Sequence, residues 1–152
     1  MSTNLNLSID EFKNYLKSGV MPDDPAPIKN KMVILNVNPI GKPRMVRSDK
    51  WKKRTATDKY WNFKDELLRE LNRLNLNLGS TNVFNLCFVI QMPDSWSEKR
   101  KALMDEKPHQ VKPDLDNICK AVFDSISKKD QTIFKLTCEK RWGYKGQIII
   151  LT

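Results

Sequence analysis

Between residues 82 and 92 every second side chain is large and apolar: Phe84, Leu86, Phe88, Ile90 and Met92 share one face, while Asn85 and Gln91 point to the other. A period of two is the pattern of a half-buried β-strand, and its apolar face must be covered by something. Two helical stripes can supply the cover. Tyr60, Phe63, Leu67, Leu71 and Leu74 fall on one side of a helix that Thr57 and Asp58 can cap and that ends before Gly79. Leu115, Ile118, Ala121, Val122 and Ile126 trace a second helix, from Asp114 to about Ser127, closed by a polar turn at 128–130. Three further strands are expected. The β-branched run 32–37 suits a buried one. Thr132, Phe134, Leu136 and Cys138 alternate inward against Lys135, Glu139 and Arg141 outward, and residues 147–151 return after a turn at Gly143. A short, strongly charged helix over 97–107 follows the break at Pro93. The order is then β-α-β-α-β-β, an α+β fold with a mixed four-stranded sheet and helices packed on it.

A length of 152 residues with 39% hydrophobic content suits one domain with a single core. That domain is expected over 31–152. Ahead of it, Ser8 with Glu11 forms a possible capping box, and Ile9, Phe12, Tyr15 and Leu16 recur at helical spacing up to Gly19. Prolines 22, 25 and 27 then disfavour both helix and sheet, so 1–30 reads as a short N-terminal helix and a linker.

Charge narrows the partners. The 27 Lys and Arg exceed the 18 Asp and Glu, a formal net charge of +9 that favours a polyanion, nucleic acid first. The longest purely aliphatic run, 148–151, is far short of the roughly 20 apolar residues of a membrane span. The first residues carry no secretion signal, so a cytoplasmic address is expected. Cys87, Cys119 and Cys138 are odd in number and lack metal-ligand spacing, which suits reduced core thiols.

The chemistry concentrates in KPDLDNICK, residues 112–120, with Asp130 ten residues beyond it. Pro113 ends a loop, which puts Asp114 at a helix N-cap and Asp116 in the first turn. Either acid alone is adequately explained by capping and the helix dipole, and Asp116 with Lys120 at i, i+4 is an ordinary ion pair. Together with Asp130, at the turn into the next strand, they form a different object. Three carboxylates suit a hard cation such as Mg2+, and Lys120 is placed to stabilise charge developing on a phosphate.

KPDLDNICKAVFDSI followed by KKDQTIF, with NPIGKPRM upstream and PDSWSEKRKA between, resembles the RusA family of Holliday junction resolvases from about Lys31 to the C-terminus. The resemblance implies a metal-dependent endodeoxyribonuclease that cuts four-way junctions symmetrically. It implies metal-binding roles for Asp114, Asp116 and Asp130, with Mg2+ or Mn2+ as cofactor, and a role in cleavage for Lys120. Asn117 and Asp124 also fall at family-like positions. Many relatives carry two adjacent acids before the final strands, whereas Lys129 precedes Asp130 here. A two-fold symmetric junction needing two opposed cuts makes a homodimer the economical assembly, as the resemblance also implies.

The segment 42–54, KPRMVRSDKWKKR, has seven basic residues against one acid. Lys42, Arg44, Arg47, Lys50, Lys52, Lys53 and Arg54 are expected to meet DNA phosphates, Trp51 can stack on an unpaired base, and the resemblance places GKPR close to the active site. His109 is the only histidine, which excludes paired-histidine nuclease chemistry and leaves it as a plain loop residue. Trp96 and the basic run 99–101 are weaker DNA contacts. A calcium EF-hand fails because Ile118 stands where an oxygen ligand is required. The serious rival is a non-catalytic basic nucleic-acid-binding module whose acids only cap a helix.

Overall fold

The computed structural model describes residues 32–79, 83–126 and 130–151, with Asp130 described in its backbone only. The expected N-terminal helix and proline-rich linker, and most of the turn at 128–130, lie outside these residues. Lys31–Thr152 forms one compact unit.

Four strands, β1 (Met32–Leu35), β2 (Val83–Gln91), β3 (Lys135–Gly143) and β4 (Gln147–Leu151), make one mixed sheet in the order β1-β4-β2-β3. β4 pairs antiparallel with both β1 and β2, whereas β3 runs parallel to β2 along its whole length, from Val83 opposite Lys135 to Gln91 opposite Gly143. A parallel pair needs a long crossover. Residues 92–134 provide it and carry α2 (Glu98–Met104) and α3 (Leu115–Ser125). The last two strands therefore do not form a hairpin: after the turn at 144–146 the chain reaches β4 on the far side of β2.

α1 (Thr55–Arg73) and α3 pack on one face of the sheet and on each other. Tyr60, Phe63, Leu67 and Leu71 of α1 are buried as the stripe requires, and Leu74 is half-buried at the helix end. α1 begins at Thr55, two residues before the expected cap, so Thr57 lies within the helix, buried, with no hydrogen-bond partner for its hydroxyl among the described residues. Ile118, Ala121 and Val122 of α3 belong to the same core as Phe84 and Phe88 of β2, where the Phe84 and Phe123 rings make an edge contact 5.2 Å between centroids.

Two burial patterns depart from the alternation read in the sequence. β2 is the strand between β4 and β3, and Cys87 and Val89, on the face expected to be wet, are buried as well. β3 is an edge, and its start reverses expectation: Phe134, just ahead of the strand, is 79% and Leu136 41% exposed, and Cys138 is only half-buried. Alternation assigns side chains to two faces; it does not say how far along a strand the covering helix reaches.

Candidate active site and nucleic-acid surface

Asp114 is the N-cap of α3 in extended conformation, as expected, yet its carboxylate makes no capping hydrogen bond. The structural duty that best explains an Asp at this position is therefore left undone, and the side chain is exposed and free for a ligand. Asp116 lies in the first turn, exposed, with Lys120 Nζ 3.1 Å from Oδ2. The Lys120 hydrogen bond holds the Asp116 carboxyl below its usual range, so it is a carboxylate at neutral pH.

The loop ahead of α3 is pinned from β3. Lys140 Nζ donates to the carbonyls of Val111 and Pro113 at 2.5 and 2.6 Å, bracketing the Lys112-Pro113 step that delivers Asp114. On the other side the 39–46 loop presses against the same helix end. Lys42 N–H donates to Asn117 O at 3.2 Å, and a Cβ at Gly41 would stand 3.0 Å from Pro113 Cβ, so any larger residue there would push the loop and the helix end apart by a few tenths of an ångström. Gly41, Lys42, Lys112, Pro113, Asp114 and Asn117 line a hollow of about 440 Å³. Asp116 and Lys120 open instead onto a neighbouring apolar groove of about 600 Å³, walled by Phe123 on one side and by Ile133, Phe134 and Leu136 on the other.

Asp130 opens a 3-10 turn, Asp130–Thr132, and the chain directly after it forms the wall of the Asp116 groove. Its side chain lies outside the described residues, and among those described no three acidic, histidine or cysteine side chains converge. The donors present, carboxylates and backbone carbonyls, are hard oxygens of the kind that suit Mg2+.

Of the seven basic residues in 42–54, five are exposed: Arg44, Arg47, Lys50, Lys52 and Lys53. The other two have partners. Lys42 Nζ sits 2.6 Å from Asp124 Oδ2, which also accepts from Tyr60 Oη at 3.1 Å. Partial burial raises the Asp124 carboxyl, but the bonds from Lys42 and Tyr60 outweigh it and hold it below the usual range; burial and Asp124 together push Tyr60 up to about 12. Arg54 makes a two-pronged contact with Asp49, 2.6 Å from Nε, and donates to Arg44 O, so it buttresses the 3-10 turn Arg47–Lys50. Trp51 is 72% exposed beside this turn.

Sequence reading missed Lys140 and Tyr60 as contributors to the site. Lys140 is one cation among many until the strand register is known, and Tyr60 reads only as a core residue. His109 is not a plain loop residue: it is buried against Trp142, ring centroids 4.1 Å apart, and burial with the nearby Lys140 charge lowers its pKa. Trp96 likewise stacks on Trp142 and is covered by the Arg100 guanidinium 3.9 Å from its centroid, which turns this cluster inward.

A family model described as endodeoxyribonuclease RusA matches residues 36–151, from the end of β1 through β4 and across both hollows. The chain belongs to the RusA family. No curated protein matches it. RusA membership covers the GKPR loop, both aspartates of α3, Lys120 and Asp130 in one continuous match, and with it the expected α+β fold is seen. No helix among the described residues is long and apolar enough to cross a membrane.

Proposed function

We propose that this RusA-family protein resolves four-way DNA junctions as a homodimer, by paired and symmetric metal-dependent phosphodiester cleavage. The observation that carries the reading is the exposed, non-capping carboxylate of Asp114 at the start of the helix whose first turns carry the Asp116–Lys120 pair, inside a family match to an endodeoxyribonuclease. Asp114, Asp116 and Asp130 would hold Mg2+, or Mn2+ in its place. When bound, such an ion supplies neutralisation of phosphate charge and a more acidic water.

The chain's own residues do the rest. Lys120 holds Asp116, and the loop 111–113, tied to Lys140, leads into Asp114. Arg44, Arg47, Lys50, Lys52 and Lys53 hold the DNA backbone without reading sequence, and Trp51 offers a stacking surface for a base unpaired at the branch point. Lys42 lines the same hollow as Asp114 and is ion-paired with Asp124, so a phosphate entering there would compete with that carboxylate for its ammonium.

The test is a synthetic four-way junction incubated with the protein and Mg2+ or EDTA, beside duplex and single-stranded DNA. Symmetric nicks that need the metal are expected, and Asp114→Asn or Asp116→Asn should abolish them while leaving junction binding intact or tighter, because a charge facing phosphate is gone. Binding with no cleavage by the unaltered protein would reduce it to a DNA-binding module.

A further inference from the structure

β3 forms one edge of the sheet, and among the described residues only half of that edge is covered. Glu106 N–H donates to Trp142 O, Trp142 N–H to Lys107 O and His109 N–H to Lys140 O, so the segment 106–109 lies along the C-terminal half of the strand. By alternation, the N–H and C=O groups of Leu136 and Cys138 face outward too, and no partner for them is found among the described residues. Beside this open stretch stand Phe134 and Leu136, both exposed, and the 600 Å³ apolar groove. An open edge with apolar flanks templates pairing with another strand, and the opposite edge, β1, has only four residues.

The residues on the other face of the same stretch are Lys135, Thr137 and Glu139, all exposed. Their spacing is self-complementary. If two copies pair antiparallel with Thr137 on the two-fold axis, Leu136 exchanges both backbone hydrogen bonds with the partner's Cys138, and Lys135 lies directly opposite the partner's Glu139. Each such register contact occurs twice. Shifting the strands by two residues would set Lys135 against a threonine or beyond the open stretch, so charge selects this register.

We infer that the open half of β3 is the surface by which two copies of this chain associate, joining their sheets into one eight-stranded sheet through an antiparallel pair centred on Thr137. This rests on the proposed homodimeric junction resolvase and names the face that makes it. The two-fold axis is then perpendicular to the sheet, so the helix layers of both copies lie on one side. The two grooves carrying Asp116 and Lys120 flank the axis on that side, which presents two equivalent acid sites to one face of a two-fold symmetric substrate.

Sedimentation of the full chain without DNA tests it. Lys135→Glu alone and Glu139→Lys alone each set two like-charge pairs across the axis and should raise the dimer dissociation constant about tenfold or more. The double exchange Lys135→Glu with Glu139→Lys should restore it to near the original value. Unchanged dissociation in the single variants, a double variant as weak as either single, or a chain that is monomeric throughout would each overturn the assignment. So would Phe134→Ser weakening junction binding while leaving self-association intact, which would give the surface to DNA. Cleavage is scored separately: a dimer with this charge pattern that cuts no junction would count against the nuclease reading alone.

Discussion

Lys140→Met removes the ammonium that holds the loop ahead of the candidate acids, and its consequences can be worked from the geometry. Two short hydrogen bonds, to Val111 O at 2.5 Å and Pro113 O at 2.6 Å, disappear together. A hydrogen bond from a charged group contributes about 1.5–3 kcal/mol, but the Val111 contact is exposed and its carbonyl can turn to water, so the net loss for the pair should be about 1–2 kcal/mol. For a domain of this size that lowers Tm by about 5 °C, with the fold retained at 25 °C. Activity should fall further than stability suggests. Residues that orient a metal ligand without touching the ion typically change metal affinity or turnover by about 10- to 100-fold, and Asp114 directly follows the pinned carbonyl of Pro113. Single-turnover cleavage of a four-way junction, titrated with Mg2+, should show the half-saturating metal concentration displaced upward, while junction binding measured in EDTA stays unchanged. Lys140→Arg, which can still donate to both carbonyls, should recover most of the rate. A Lys140→Met protein with an unaltered Mg2+ titration would refute the positioning role, whatever its Tm.

The exposed cations of the basic loop can be counted by salt. Replacing Arg44, Arg47 and Lys50 by Ala should weaken junction binding and reduce the slope of log affinity against log salt by about 2–3, or about 0.9 for each phosphate that is no longer neutralised; an unaltered slope would mean that the loop faces away from the DNA. His109 provides a pH signature. Its folded pKa is lowered from 6.5, so below pH 6.5 the unfolded chain takes up a proton that the folded one resists, and stability falls as pH drops from about 7 to 5. The depressed carboxyls of Asp49, Glu70, Asp116 and Asp124 contribute in a lower window, their share being lost only as pH falls below their ordinary values of 3.8 to 4.5. Urea unfolding of His109→Phe should therefore lose the slope between pH 7 and 5 and keep the acid one; equal slopes in both proteins would exclude His109 as its source.

Much of the fold was legible because the periods that specify it are local. The stripe from Tyr60 to Leu71, the stripe from Leu115 to Val122 and the alternation from Phe84 to Ile90 each became the expected element, and Asp114 became the N-cap that Pro113 and the helical pattern required. Pairing was not local. Placing β2 between β3 and β4 buried Cys87 and Val89 from the second side, and leaving β3 at the edge exposed Phe134 and Leu136.

The acids, their order along the chain and the basic loop were set by the sequence alone, since the chemistry of a carboxylate or guanidinium does not depend on its neighbours for its identity. Which charges remain free for a substrate was decided only by the tertiary structure: Asp124 takes up Lys42, Asp49 takes up Arg54, and Lys140 spends its ammonium on two carbonyls 27 and 29 residues away. Such pairings form between segments that meet only when the sheet closes, and nothing in the spacing along a chain records that distance.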